Sequence, residues 1–230
     1  LFQSRTAQWV GYGLNDLKSE DAAISSYSVD GSRLITLTRH WTGAEAQSLQ
    51  HDTVIWVADG VITFEETIRI PEAWADLPKV GVRFEVASEF DQLSWFGLGP
   101  DESYPDRCGA QTLAAWTSSV AEQYHPYVRP QDYGAHEQTR WFQLVNASGI
   151  GARIGFPLPL SFAARPHRDA DLNDAETLAE LATAEATEVH IDTAVRGLGT
   201  AACGPDTLKP YRVGSGTYRF QWTLQAILGN

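Results

Sequence analysis

"DTVIWVADGVITFEETIRIP", residues 52–71, decides the fold class. Two runs rich in β-branched and aromatic residues flank Asp59-Gly60. That pair is favoured in a two-residue type I′ turn, where both central residues need positive φ. The stretch predicts a β-hairpin. The same period of two recurs outward from it. In "SRLITLTRHW" (32–41), Leu34, Thr36 and Thr38 share one side and Ile35 and Leu37 the other. "VGVRFEVASEF" (80–90) puts Val80, Val82, Phe84 and Val86 on one face, the pattern of a half-buried antiparallel strand. "TRWFQLVNA" (139–147) and "ARIGFPLPLSFAA" (152–164) predict a second pair around Ser148-Gly149. "TEVHIDTAV" (187–195) and "TYRFQWTLQ" (217–225) predict two further strands.

Helical signals are scarce. "NDAETLAELATAEA" (173–186) predicts one helix, with Asn173 as N-cap, Glu176 completing a capping box, and Leu178 and Leu181 on an apolar side. Residues 71–78 have room for a single turn. No repeat, low-complexity tract or linker interrupts the chain. The expectation is a single domain over 1–230: all-β, antiparallel, with one short helix and two stacked sheets rather than a small barrel.

Bulk composition narrows the function classes. Apolar residues make up 43% of the 230, enough for a proper core. The net charge is −12, from 29 acidic and 17 basic residues, which argues against a nucleic-acid partner. No apolar run approaches a membrane span, so no membrane partner is expected. Two cysteines, Cys108 and Cys203, do not make a disulfide framework and suit a reducing, cytoplasmic compartment, with a single Cys108–Cys203 bridge as the alternative. The start "LFQSRTAQWV" carries neither an initiator Met nor a signal-peptide pattern, and the chain has no Met at all. These features predict a segment of something longer, with Leu1 an arbitrary boundary.

Familiar catalytic patterns are absent. The histidines at 40, 51, 125, 136, 167 and 190 form no i,i+4 pair and no H-E-x-x-H frame, so a helix-borne zinc site has no support. Glycines 149, 151 and 155 miss the dinucleotide spacing, and no G-x-S-x-G elbow occurs.

Three stretches are unusually dense in polar, aromatic and turn-forming residues. "SWFGLGPDESYPDRCGA" (94–110) has a composition that reads as neither helix nor strand. Asp101 and Glu102 in it are adjacent, whereas paired catalytic carboxyls face one bond from two directions. Turn-capping, with bonds to Arg107 or nearby backbone N–H groups, is the better reading of these carboxylates. Trp95, Phe96 and Tyr104 are expected to pack the base of the loop. "EQYHPYVRPQDYGAHEQTRW" (122–141) offers Tyr124, Tyr127, Tyr133, Trp141 and Gln131, either as a sugar-facing set or as an ordered loop or interface. "VRGLGTAACGPDTLKPYRV" (195–213) is a long irregular loop, a length that usually marks function or an interface.

Together these stretches resemble the C-terminal domain of the glycoside hydrolase family 2 β-galactosidases. The residues that carry the likeness are "WFGLGPDESYPDR" (95–107), "YHPYVRPQDYG" (124–134), "GLGTAACGPDT" (197–207) and "YRFQWTL" (218–224), in order over about residues 85–225. The resemblance implies an antiparallel β-supersandwich of the galactose mutarotase type, beginning some tens of residues before the position matching Leu1, so that N-terminal strands are missing. It implies a retaining β-galactosidase whose catalytic glutamates lie on a separate TIM barrel. The chain would then hold no catalytic residue and no cofactor, with the parent's magnesium and sodium sites in other domains. Expected partners are those other domains, a β-galactoside substrate in the whole enzyme, and further copies of a homo-oligomeric parent. One loop of the family's domain brings a substrate-stacking Trp to the pocket. Cys203 stands opposite that Trp here, which implies a pocket edge at Cys203, Gly204 and Pro205. Trp95, Glu102, Tyr104, Arg107, Tyr127 and Gln131 are candidates for a sugar-facing or interface role. The competing readings are a stand-alone carbohydrate-binding module and a mutarotase-like protein, which would need a His and a carboxylate across one cleft.

Overall fold

The computed structural model describes residues 5–29, 32–199 and 205–229. Twelve strands dominate. They are β1 (Lys18–Ser19), β2 (Ala23–Val29), β3 (Ser32–Thr42), β4 (Ser48–Ala58), β5 (Val61–Ile70), β6 (Lys79–Ala87), β7 (Gln92–Gly99), β8 (Thr112–Ser119), β9 (His136–Val145), β10 (Ile150–Arg165), β11 (Ala186–Val195) and β12 (Gly216–Leu228). Two short helices, α1 (Arg5–Gly11) and α2 (Asp169–Asp174), complete the α and β elements. Every strand pairing is antiparallel.

The quoted hairpin forms as its sequence predicts. β4 and β5 pair through Ala58↔Val61, with Asp59 at φ 51° and Gly60 at φ 75°. The strands 32–41, 80–90, 139–147, 152–164, 187–195 and 217–225 also appear, within a few residues of their expected bounds.

β10 is the seam of the architecture. Its first half pairs with β9 on one side and β12 on the other, while Ser161–Arg165 turn to β11. From β12 the sheet runs through β5, β4 and β3; from β9 it runs through β7 to β8. β11 carries β6 away as a branch. That branch packs back over the main sheet, because Phe84 of β6 stacks on Trp222 of β12, with centroids 5.8 Å apart. Trp222 in turn stacks on Phe64 at 3.8 Å. Phe142, Phe162, Val189, Ile191 and Leu144 fill the space between the layers, each at most 2% exposed.

Three sequence expectations need correction. Residues 94–99 form most of β7 rather than a loop. The glycines there make room for neighbours: a Cβ on Gly97 would stand 2.5 Å from Thr139 Oγ1, and one on Gly99 2.7 Å from Trp116. The helix lies at Asp169–Asp174, not over 173–186. Leu172 is the buried anchor, whereas Leu178, expected on the apolar side of a helix over 173–186, is 45% exposed. The expected Asn173–Glu176 capping box does not form: Asn173 Nδ2 donates to Asp174 at 3.1 Å, and Glu176 N and Thr177 Oγ1 donate to Glu180 at 3.0 Å each. Among the described residues there are two α-helices, and α1 has no counterpart in the sequence reading.

Candidate functional site

Segments far apart in the chain converge on the base of the loop between β11 and β12. Asp106, in the turn region after β7, joins them. Its Oδ1 accepts from Leu198 N at 2.8 Å and its Oδ2 from Gly199 N at 2.7 Å. Gly197 leaves no room for a side chain, because a Cβ would stand 2.5 Å from Asp106 Cγ. Gly199 adopts φ +62°. Both positions need glycine for a stated reason, close approach in one case and left-handed backbone in the other.

Arg196 ties the two arms of the loop together. Its Nε donates to Asp76 Oδ1 at 2.7 Å, Nη1 to Thr207 Oγ1 at 2.6 Å and Nη2 to Asp206 Oδ1 at 2.8 Å. Thr207, fully buried, donates to Gly197 O at 2.7 Å. Arg212 Nε closes on Thr207 O at 2.7 Å. From α1, Arg5 bonds Asp206, and Trp9 Nε1 donates to Asp76 O at 3.1 Å. The hydrogen bond from Arg196, with that from Arg5, holds the Asp206 carboxyl well below the usual carboxylate range. Burial opposes the charge on Arg196, but Asp76 and Asp206 keep its pKa above the ordinary value.

A second knot lies beside the first. Glu102 Oε1 accepts from Arg107 and from Tyr127 OH, and its Oε2 accepts from Gly134 N at 2.8 Å. Arg107 Nη2 also donates to Tyr127 OH at 2.9 Å and covers the ring of buried Tyr104 at 5.1 Å. Burial, helped by Glu102, raises the Tyr127 phenol pKa. Four of the candidate residues, Glu102, Tyr104, Arg107 and Tyr127, are thus one cluster. Trp95 is apart from them, in the core at 1% exposure. Gln131 and Pro205 are exposed. Cys203 and Gly204 lie outside the described residues. Cys108 is a free, half-buried thiol.

A third cluster escaped the sequence reading. Arg165, fully buried at the end of β10, donates to Asp132 and Asp169 at 2.6 Å each, and its Nη2 lies 3.4 Å from Glu188 and 2.6 Å from His190 Nε2. Lys79 Nζ reaches Asp132 at 3.1 Å. Partial loss of solvation works against the Asp132 anion, whose side chain stays 46% exposed, but Lys79 and Arg165 hold its pKa far below the ordinary value. The available signal was Glu188, His190 and Asp192 at alternate positions of β11. They share one face of a strand that is buried on both.

Asp169, Glu188 and His190 bring one ligand atom each to within 4.8 Å of one another. The donor set does not suit a metal ion. Arg165 Nη2 stands 2.6 Å from His190 Nε2 and 3.4 Å from Glu188 Oε1, so a positive charge that only donates hydrogen bonds already sits where the cation would. Around the loop base, Glu102, Asp106 and Asp206 all accept from protein donors, and none is a free acid or base. Chemically the site holds a loop. Among the described residues no helix is long and apolar enough to cross a membrane.

Comparison with known proteins bears on this arrangement. Residues 3–224 match the family model described as beta galactosidase small chain. A beta-galactosidase of Arthrobacter sp. (strain B7) is 34% identical over 172 residues, covering 70% of this chain and 17% of that relative. One from Priestia megaterium is 32% identical over 142 residues, covering 61% and 14%. The chain thus spans about a sixth of the length of these relatives. Among solved structures, a putative aldose 1-epimerase from Escherichia coli K12 aligns at TM-score 0.39 and 10% identity over 89% of this chain and 69% of that one. A galactose mutarotase related enzyme from Lactobacillus acidophilus aligns at 0.42 and 6%, over 91% and 72%. With the family match running through the Asp106 turn, the Glu102 knot and both arms of the 197–207 loop, the chain belongs to the beta galactosidase small chain family.

Proposed function

We propose that this chain is the non-catalytic C-terminal part of a retaining β-galactosidase and that it shapes the edge of the substrate pocket. The observation carrying this reading is the pair of hydrogen bonds from Leu198 and Gly199 to Asp106. They join the turn 100–107 to the loop 197–207, two stretches on which the family likeness rests. In this reading the loop presents Cys203, Gly204 and Pro205 to the aglycone side of the sugar. Cys203 offers less stacking area than an aromatic residue there. The catalytic glutamates and the magnesium and sodium ions belong to other domains, which are the chain's partners in a homo-oligomeric parent. Among the sequence candidates, Trp95, Tyr104 and Tyr133 are buried and offer no face to a sugar. A stand-alone binding module built on those aromatics is correspondingly disfavoured.

The test is Asp106→Ala in the whole β-galactosidase carrying this segment. Losing two charge-assisted bonds at the loop base releases the loop arm. KM for a β-galactoside should rise about tenfold, the equivalent of roughly 1.4 kcal/mol, with kcat changed less. Asp106→Asn keeps one acceptor and should fall between. An unaltered KM in both variants would remove the loop from the pocket.

A further inference from the structure

We propose that the groove along the free side of β6, floored by Gly81 and walled by Asp192, is a binding site for one small, neutral, polyhydroxylated molecule of monosaccharide size. This goes beyond the pocket-edge role and does not depend on it.

Asp192 lines the groove from β11. It is 7% exposed, yet no described residue donates a hydrogen bond to its carboxylate or forms an ion pair with it. Every other carboxylate of the cluster is partnered: Asp132 and Asp169 by Arg165, and Glu188 by Arg83 and the Asp169 amide. The Asp192 carboxylate opens onto the groove, where it can accept a hydrogen bond from a hydroxyl. The carboxylate is fixed in place by its neighbour across the ladder. Asp192 pairs with Gly81, and its Oδ1 occupies the space a Cβ on Gly81 would take. A register shift follows directly, between Asp192 and Ala194. Such irregularities re-aim side chains next to binding sites.

The groove holds about 210 Å³ and is lined by Lys79, Gly81, Val82, Arg83, Asp169, His190 and Asp192. That lies below the 300–1,000 Å³ of sites for drug-sized ligands. Its charges are mixed at short range. A cation drawn to Asp192 meets Lys79 and Arg83; an anion drawn to Lys79 meets Asp192 and Asp169. A hydroxyl group both donates and accepts, so adjacent hydroxyls can give to Asp192 and Asp169 while taking from Lys79. No aromatic side chain lines the groove, so recognition runs through ring-edge hydroxyls rather than a stacked face. His190 Nε2 faces Arg165 at 2.6 Å and Glu188 at 2.9 Å, inside the cluster. The site binds and does not turn over.

The experiment is titration of the 230-residue chain with D-galactose, followed by amide chemical shifts. Saturable shifts confined to residues 79–83 and 190–192 are expected. Asp192→Ala and Lys79→Met should each weaken the apparent affinity about tenfold. If Asp192→Ala does not fold, Lys79→Met and the shift map of the unaltered chain still decide. Absence of saturable shifts, shifts centred elsewhere, or affinity untouched in the folded variants would overturn the proposal. So would saturable binding of ammonium or acetate in place of galactose.

Discussion

His136 is 1% exposed between the rings of Trp95, at 4.3 Å, and Phe162, at 5.3 Å. Its Nδ1 lies 3.1 Å from Leu98 O, which can only accept, and its Nε2 lies 2.5 Å from the side-chain amide of Gln123, whose NH2 can donate to a neutral ring. Burial pushes the imidazolium pKa from 6.5 down to about 4. The unfolded chain takes up this proton near pH 6.5, and the folded chain holds it off until about pH 4. Acid therefore favours unfolding across that window, by roughly 3 kcal/mol in full. Glu137 works the other way. Burial raises its carboxyl from 4.5 to about 6, so its ionisation weakens the fold as pH rises between those values. A His136→Gln variant isolates the histidine effect. Urea unfolding at pH 7 and pH 4 should show the stability gap between the parent chain and the variant shrinking by about 2–3 kcal/mol on acidification. A gap independent of pH would contradict the buried, neutral imidazole. The lowered pKa of Asp206 acts in a separate window, below its ordinary 3.8, where protonation dissolves its bonds to Arg196 and Arg5.

At the scale of elements, alternation and turn chemistry made most strands legible. The 52–71 hairpin needed nothing beyond local residues, since Asp59-Gly60 suits only a few backbone paths. β7 was hidden because its glycines look like turn-formers when read along the chain. In space they are contact residues, admitting Thr139 and Trp116 against the backbone. A local pattern carries no sign of which strand will lie alongside. The misplaced helix has the same origin, for Leu172 is buried by tertiary packing that the capping signal at Asn173 cannot report. Two substitutions separate the two kinds of glycine. Gly97→Ala overpacks against Thr139 and should cost about 1–3 kcal/mol. Gly109→Ala meets nothing within 4 Å and should be neutral or stabilising by a few tenths of a kcal/mol. Equal effects in chemical denaturation would refute the contact explanation.

Across the whole molecule, the three dense stretches turn out to be neighbours. The 95–107 run ends β7 and then supplies Glu102 and Asp106; the 124–134 run supplies Tyr127 and the Gly134 amide; the 197–207 run supplies the amides that Asp106 holds. Sequence alone marked these stretches as special, and expected their carboxylates to serve turns and backbone N–H groups. It did not indicate that one of those groups lay more than ninety positions away. The Arg196–Asp76 bond was missed because it spans 120 positions, although Arg196 lies in the 195–213 stretch. The described carboxylates at the loop base are spent on structure, and the proposed function gives the chain a positional part in a β-galactosidase. The most direct measurement is release of nitrophenol from a chromogenic β-galactopyranoside by the purified 230-residue chain, beside the whole enzyme that carries it. The account predicts steady colour from the whole enzyme and none from the chain; steady turnover by the chain alone would contradict it.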